Sequence, residues 1–220
     1  MVDPGGLGRA PSDAVVLFNG LDNSGWTRLN GNPSKCTVAD GVMTCRTGAG
    51  DIQSVEKFRD AQIHVEFNVP YMPGQRGQGR GNSGVLLHGR YEIQILDSYQ
   101  NETYANGSCA ALYGESAPLV NACRRPGEWQ SYDIIFHAPR CEADGRMQAP
   151  GSLTLLHNGV LVQDHVPVRS SSDCVAEGPL VLQDHGQFVG RRIATATGVV
   201  EGAVDTPMKF RNIWMRRLTR

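Results

Sequence analysis

The chain has 220 residues, with 21 Lys and Arg against 22 Asp and Glu and a formal net charge of -1. This balance gives no electrostatic basis for binding nucleic acid or an anionic membrane, and apolar runs of only a few residues exclude membrane insertion. A hydrophobic fraction of 40% is ordinary for a folded domain, and the length suits one large all-β domain.

Residues 1–13 are predicted to be a disordered lead-in, and residues 14–220 a single β-sandwich domain. Polar and apolar residues alternate in short runs separated by turn dipeptides, which is typical of strands. No stretch repeats apolar residues at helical spacing over three turns, so the predicted fold class is all-β. The predicted strands span 15–18, 41–45, 52–55, 61–69, 83–87, 91–96, 130–137, 152–157, 160–163, 180–184 and 209–217. Residues 98–128 form an irregular excursion between two of them.

The cysteine pattern favours disulfides and export. The six cysteines form an even set without Cys-x-x-Cys spacing, which disfavours zinc ribbons and thioredoxin-like sites. Although fifteen pairings are possible, we predict Cys36–Cys45 across a hairpin, Cys109–Cys123 and Cys141–Cys174. The alternative is a cytosolic protein with six free thiols, because disulfides are rare in the cytosol. We expect a secreted or periplasmic protein whose leader has been removed from this chain, because residues 1–4 lack the basic start of a leader.

The segment from Arg90 to Tyr99 carries the strongest functional signal. In this predicted strand Glu92 and Gln94 share one face, while the apolar residues between them face the core. A carboxylate and a carboxamide on the outer face, close to aromatic residues, suit a sheet surface that binds a sugar. Asp97 follows the strand and is either a catalytic carboxyl group or the cap of a turn.

A second run, from Leu180 to Gly186, repeats this pattern of an apolar strand followed by polar residues. Gln183 and His185 share a face, and His185 is the natural proton carrier because imidazole titrates near neutral pH. Asp184 is expected either to orient His185 or to anchor a loop. Two such runs in one all-β chain predict a shared site.

Six ordered motifs between residues 15 and 215 resemble the 3-keto-disaccharide hydrolase domain family. They are Leu17-Phe18-Asn19-Gly20 with Gly25-Trp26, Gly81-Asn82-Ser83-Gly84-Val85 with Tyr91-Glu92-Ile93-Gln94-Ile95-Leu96-Asp97, Gly127-Glu128-Trp129, His157-Asn158-Gly159, Gly178-Pro179-Leu180-Val181-Leu182-Gln183-Asp184-His185-Gly186 and Phe210-Arg211-Asn212-Ile213-Trp214. The resemblance implies a concanavalin A-like jelly-roll sandwich of two antiparallel sheets with a concave ligand face. It also implies frequent export from bacteria and cleavage or hydration of 3-keto-glycosides.

A 3-keto group acidifies the hydrogen at C2, so a base can remove that proton and expel the C1 substituent, with hydration afterwards. We predict Glu92 or His185 as the base, with the other, or Asp97, as the acid. The predicted substrate-binding residues are Gln94, Arg90, Gln183, Asp184, Trp129, Tyr113 and His88. A divalent metal ion held by Glu92, Asp97, Asp184 and His185 would suit the enolate, although no spacing requires one.

Two other functions remain open for the predicted sandwich. A non-catalytic carbohydrate-binding module needs aromatic and amide groups but no base. A retaining glucanase needs two carboxyl groups about 5–5.5 Å apart. Glu92 and Asp97 are five strand steps apart and on opposite faces, so a glucanase would require a β-bulge between them. In each case the predicted partner is a saccharide.

Overall fold

The computed structural model describes residues 1–6, 9–168, 175, 177–185, 192–195, 198–201 and 207–218, with the backbone alone for 192–195 and 198–201. The strands, in chain order, are β1 (Val15–Phe18), β2 (Trp26–Arg28), β3 (Thr37–Ala39), β4 (Val42–Cys45), β5 (Ile52–Phe58), β6 (Ala61–Asn68), β7 (Asn82–Leu87), β8 (Tyr91–Leu96), β9 (Trp129–His137), β10 (Arg140–Cys141), β11 (Met147–Ala149), β12 (Gly151–His157), β13 (Val160–Val168), β14 (Gly178–Leu182), β15 (Arg192–Thr195), β16 (Gly198–Glu201) and β17 (Met208–Arg217). Within the described residues the only helices are two 3₁₀ turns, Gly77–Gly79 and Ala105–Gly107.

Two large antiparallel sheets contain most of these strands. The eight-stranded sheet has the order β13-β12-β9-β6-β17-β4-β3, and β1 also pairs with β17. The five-stranded sheet has the order β2-β5-β14-β7-β8. Strands β10 and β11, and strands β15 and β16, form two small separate pairs. The predicted all-β sandwich is therefore confirmed. None of the described helices is long and apolar enough to cross a membrane.

The core lies between the two large sheets and follows the predicted alternation. In β6 the inward residues Ile63, Val65 and Phe67 are fully buried, and in β8 Ile93 and Ile95 are fully buried. Each fully buried side chain of this kind contributes roughly 1.5–3 kcal/mol by leaving water. Because inward and outward positions alternate along each strand, the same pattern sends the polar residues of both sheets to the two outer faces.

The predicted hairpin disulfide is confirmed. Cys36 and Cys45 are bonded, with their Cα atoms 4.3 Å apart, across the turn between β3 and β4. Cys141 is also disulfide-bonded. Its predicted partner, Cys174, lies outside the described residues.

The predicted bridge between Cys109 and Cys123 is wrong, because both are free thiols in this structure. The buried sulfur of Cys109 lies 3.1 Å from the hydroxyl of Tyr132, and Cys123 donates to the carbonyl oxygen of Leu96 at 3.6 Å. Burial raises the pKa of Cys109 well above that of an ordinary thiol. The two thiols thus act as small hydrogen-bonding core groups beneath β8.

Candidate functional site

Strand β8 has backbone partners on both sides. On one side it pairs with β7 in an unbroken register from Leu87–Tyr91 to Asn82–Leu96. On the other side, Gln94 accepts from Ala110 N at 2.9 Å and donates to Ala111 O at 3.0 Å. The chain that looked irregular in sequence therefore extends the sheet beyond β8 and carries its own side chains to the site.

The side chains of β8 divide as predicted. Tyr91, Ile93 and Ile95 are buried in the core, whereas Glu92 and Gln94 lie on the outer face. Glu92 is half-buried, but Gln94 is only 1% exposed. The two side chains that appeared equivalent in sequence therefore differ: Glu92 can meet a ligand, and Gln94 supports the floor of the site.

The position opposite Gln94 on β7 is Gly84, which makes room for Glu92. A Cβ atom at Gly84 would lie 2.7 Å from Glu92 Oε1 and 2.9 Å from its Cγ. Real Cβ atoms do not approach other atoms this closely, so the carboxylate of Glu92 occupies the space that a larger residue would fill. The motif around Gly84 was visible in sequence, but this role for the glycine was not.

Gln94 connects Glu92 to the glycine-rich loop before β7. In one orientation its amide nitrogen donates to Gln78 Oε1 at 3.1 Å. Turned over, which satisfies both amide atoms, it donates to Ser83 O at 2.9 Å and to Glu92 Oε1 at 3.2 Å. Gln78 is itself held by Gly107 O at 2.8 Å. The loop therefore covers Gln94 and leaves Glu92 accessible.

Two tyrosines form an exposed wall beside Glu92. The hydroxyl groups of Tyr104 and Tyr113 are 2.6 Å apart, and their rings meet edge to face at 6.4 Å. The hydrogen bond with Tyr113, with smaller contributions from burial and the Glu92 carboxylate, raises the pKa of Tyr104 to about 12. The Tyr104 hydroxyl group is therefore protonated at neutral pH. Tyr113 was predicted from sequence to bind substrate; the pairing with Tyr104 depends on the fold.

The second polar run, which begins at Leu180, ends beside Gly84 of β7. Gln183 donates from its backbone to Gly84 O at 3.0 Å, and Ser83 Oγ donates to Gln183 O at 2.7 Å. The side-chain oxygen of Gln183 is buried and accepts no hydrogen bond from the described residues. The two predicted runs thus meet at Gly84, and Gln183 brings an unused acceptor to the site.

Asp184 anchors a loop. It accepts from Gly50 N at 2.7 Å, and its own backbone donates to Asp51 Oδ1 at 2.8 Å. These two hydrogen bonds support anchoring, and the charge of Asp184 also acts on His185. This clamp brings the carboxylate of Asp51 near Glu92.

The environment moves the pKa values of Glu92 and His185 toward each other. Burial, followed by the charge of Asp51, raises the pKa of Glu92. Loss of surrounding water lowers the pKa of His185, although its side chain stays exposed and the charges of Asp184 and Asp51 oppose the shift. A carboxyl group and an imidazole whose pKa values approach each other can act as base and acid in the same range of pH.

Asp97 is placed differently from Glu92. It is 2% exposed, 3.3 Å from Arg80 Nη1, and accepts from Tyr99 N at 3.2 Å. Burial raises the pKa of Asp97, against the opposing charge of Arg80. Since Arg80 also donates to Tyr99 O at 2.9 Å, this pair fixes the glycine-rich loop. The contacts of Asp97 are those of a structural anchor.

Three other predicted binding residues are placed differently from Glu92. His88 is 4% exposed and packs between Phe58 and Phe136, 5.1 and 5.0 Å away. Arg90 is exposed in the turn before β8. Trp129 begins β9 and lies on the outer face of the other sheet, so the fold does not bring it to Glu92. Its position in the chain carried no signal of which sheet it would join.

The predicted metal ion finds no ligand set among the described residues. No group of three or more His, Cys, Asp or Glu side chains in that part of the chain is arranged to hold a cation. Asp184 is hydrogen-bonded to the Gly50 loop and Asp97 is paired with Arg80. We therefore derive no catalytic step through a metal.

Comparison with known protein families agrees with the ordered motifs found in the sequence. A family model described as a 3-keto-alpha-glucoside-1,2-lyase-like domain matches residues 13–216. No curated protein matches the chain.

Three solved structures are similar. A candidate glycosyl hydrolase from Parabacteroides distasonis ATCC 8503 is 40% identical, with a TM-score of 0.86 over 99% of this chain and 91% of that one. A second from the same organism is 20% identical, with a TM-score of 0.63 over 94% of each chain. The alginate lyase Aly36B shares the fold at 11% identity and a TM-score of 0.52, over 94% of this chain and 99% of that one. Because the family model spans nearly the whole sandwich, the chain belongs to the 3-keto-alpha-glucoside-1,2-lyase-like domain family.

Proposed function

We propose that this protein cleaves 3-keto-glycosides by proton abstraction and elimination, followed by hydration. Family membership supports the substrate class. The observation that carries the proposal is Glu92, a half-buried carboxylate with a raised pKa, held over Gly84 and beside Asp51 and the tyrosine pair. A carboxylate with a raised pKa is a stronger base than an ordinary one, as removal of a C2 proton requires.

The proposed reaction breaks two bonds and adds water. Glu92 takes the proton from C2, and the electron pair moves into the 3-keto group to give an enolate. The enolate then expels the C1 oxygen, which receives a proton from His185. Water adds across the resulting C1–C2 double bond, so the net reaction is hydrolysis. The lowered pKa of His185 makes its protonated form a stronger acid than an ordinary imidazolium.

The neighbouring groups would bind the sugar and its developing charge. The hydrogen-bonded hydroxyl pair of Tyr104 and Tyr113 would supply one O–H donor to the enolate oxygen, since the other proton is used within the pair. The side-chain oxygen of Gln183, which accepts from none of the described residues, is a candidate acceptor for a sugar hydroxyl. Gln94 orients Glu92 through its amide. We assign Asp97, His88 and Asp184 to holding the structure around these groups.

The functional test compares a 3-keto-disaccharide with its unoxidised parent, each with and without a chelator. We expect release of monosaccharide from the keto substrate alone. Cleavage of both substrates would contradict elimination chemistry, because an ordinary glycoside has no acidified C2 proton. Loss of the activity with chelator would add a metal to a mechanism that we derive without one.

Two rival functions make different predictions. A carbohydrate-binding module, favoured by the exposed tyrosine pair, would bind sugars without releasing any. A retaining glucanase using Glu92 and Asp97 would need a bulge in β8, but the register of β8 with β7 is unbroken and Asp97 is paired with Arg80. Asp97 is therefore not placed to act as the second catalytic carboxyl group that a retaining glucanase needs.

We also propose that the protein is exported from the cytosol. The disulfide between Cys36 and Cys45 supports an oxidising compartment, because such bonds rarely persist in the cytosol. A bacterial periplasm or the extracellular medium would meet this condition.

Replacing Asp51 by Asn should shift the pH–rate profile to lower pH. Asn keeps an oxygen to accept from Asp184 N but removes the charge that helps to raise the pKa of Glu92. Glu92 must be ionised to act as the base, so a lower pKa extends activity to more acidic solution. The same change removes a charge that supports protonation of His185, so the alkaline limb should move in the same direction. The measurement is kcat/KM against pH.

The control is Asp164→Asn, since Asp164 is exposed on β13 in the other sheet. Its profile should match that of the unmodified protein. An Asp51→Asn profile whose acidic limb does not move, or moves to higher pH, would contradict Glu92 as the base.

A further inference from the structure

A groove of about 430 Å³ lies on the outer face of the eight-stranded sheet, opposite the face that carries Glu92. We call it the Trp129 groove. Its polar lining includes His64, Glu66, Trp129, Asp133, Asn158 and Arg211. None of these residues takes part in the proposed reaction.

Strand register brings the lining together. On β6, His64 and Glu66 point outward, because Ile63 and Val65 are buried in the core. Asp133 of β9 is paired with His64, and Arg211 of β17 is paired with Glu66. The groove therefore draws on three adjacent strands of a rigid sheet.

The walls of the groove are held by strong contacts. Arg211 lies with its guanidinium 4.1 Å from the ring centre of Trp129 and donates to Glu66 at 2.5 Å. Although burial opposes it, hydrogen bonds from Asn212 and Arg211 lower the pKa of Glu66, so this carboxylate stays ionised. Stacking of the cation on the indole and pairing with the carboxylate together fix the wall.

The second wall of the groove, which contains His64 and Asp133, is also held by close contacts. His64 Nδ1 lies 2.6 Å from Asp133 Oδ1, and the imidazole stacks on Trp214 with ring centres 5.3 Å apart and an angle of 13°. The other imidazole nitrogen, Nε2, is buried 3.6 Å from Glu66 Oε1 and makes no hydrogen bond with the described residues. Such pre-organisation lowers the entropy cost of binding a ligand.

Charge and free hydrogen-bonding groups indicate the class of ligand. The lining carries Arg124 and Arg211 against Glu66 and Asp133, so it has no large excess of either sign. Trp129 Nε1 and Ser131 Oγ donate to no described residue, and both residues line the groove. A neutral ligand rich in hydroxyl groups can use these donors and the remaining carboxylate lone pairs, whereas an anion gains no net charge attraction from this lining.

We propose that the Trp129 groove is a second saccharide-binding site, specific for neutral sugars and separate from the Glu92 face. Sites on opposite faces of one sandwich would allow the protein to hold a glycan at one face while the other acts on a substrate. Because the sites share no residue, this inference does not depend on the proposed reaction.

The test blocks the groove without disturbing the contacts of its walls. Ser131→Trp places a large side chain inside the groove, while the backbone nitrogen of residue 131 can still donate to Asn158. Ile135→Trp is the matched control, on the same strand and face of β9, at a position that is 40% exposed and outside the groove. Calorimetric titration would use cellohexaose and maltohexaose as neutral probes and an alginate hexasaccharide as the anionic one.

We expect at least one neutral probe to bind, and Ser131→Trp to weaken that binding by roughly tenfold or more through steric exclusion. Ile135→Trp should bind as the unmodified protein does. Trp129→Phe, which keeps an aromatic wall but removes the indole N–H, guards against misfolding of the first variant and should also bind more weakly. Unchanged affinity in Ser131→Trp, no binding of either neutral probe, or tighter binding of the anionic probe would each overturn the proposal.

Discussion

Glu92→Gln is expected to lower kcat on a 3-keto-disaccharide by about 10²–10⁴-fold, the usual contribution of a general base. Gln has nearly the same shape as Glu but cannot accept the C2 proton. The fold should be preserved, because the side chain lies in a polar, half-buried position and loses no ion pair with the described residues. The measurement is turnover, together with thermal unfolding to confirm that the protein remains folded.

The control is Glu56→Gln, on β5 of the same sheet. Glu56 is exposed and pairs with Arg217 at 2.9 Å, so removing its charge should leave turnover unchanged. If Glu92→Gln retains the unmodified rate, Glu92 is not the base. If Glu92→Gln loses turnover but still binds the substrate, the enzyme is favoured over a binding module.

Gly84→Ala is expected to reduce turnover by about 10²-fold, the cost of displacing a catalytic group by about 1 Å. The added methyl carbon would stand 2.7 Å from Glu92 Oε1, so the carboxylate must move. The overall fold should tolerate alanine, because Gly84 is in a strand and its φ is not positive. Steady-state kinetics on the keto substrate measures the effect.

Gly79→Ala is the matched control, because its new methyl group would meet only the flexible end of Gln75, at 3.3 Å. Combining Gly84→Ala with Glu92→Gln adds a second check. If the glycine acts by positioning Glu92, the double variant should be no slower than Glu92→Gln alone. Independent, multiplying losses would instead show that Gly84 matters for another reason.

Much of the fold could be predicted from residue patterns. The alternation in β6 and β8 identified both the strands and their inward residues, since a strand has a period of two. Strand lengths were less predictable: β13 runs to Val168, past the predicted end at residue 163, because cross-strand pairing with β12 continues it. The Cys109–Cys123 disulfide was wrong because spacing alone cannot show whether two neighbouring thiols are oxidised or only hydrogen-bonded to each other.

The sequence by itself determined the fold class, the family and the facing of Glu92 and Gln94, because each follows from local alternation or from motifs in a fixed order. Only the tertiary structure decided which polar residues meet. Gly84 joins the two polar runs. The two hydrogen bonds of Asp184, to residues 133 and 134 positions away in the chain, hold Asp51 near Glu92. Trp129 joined the opposite sheet for the same reason: pairing between distant strands is set by the packing of the whole sandwich, and no local pattern encodes it.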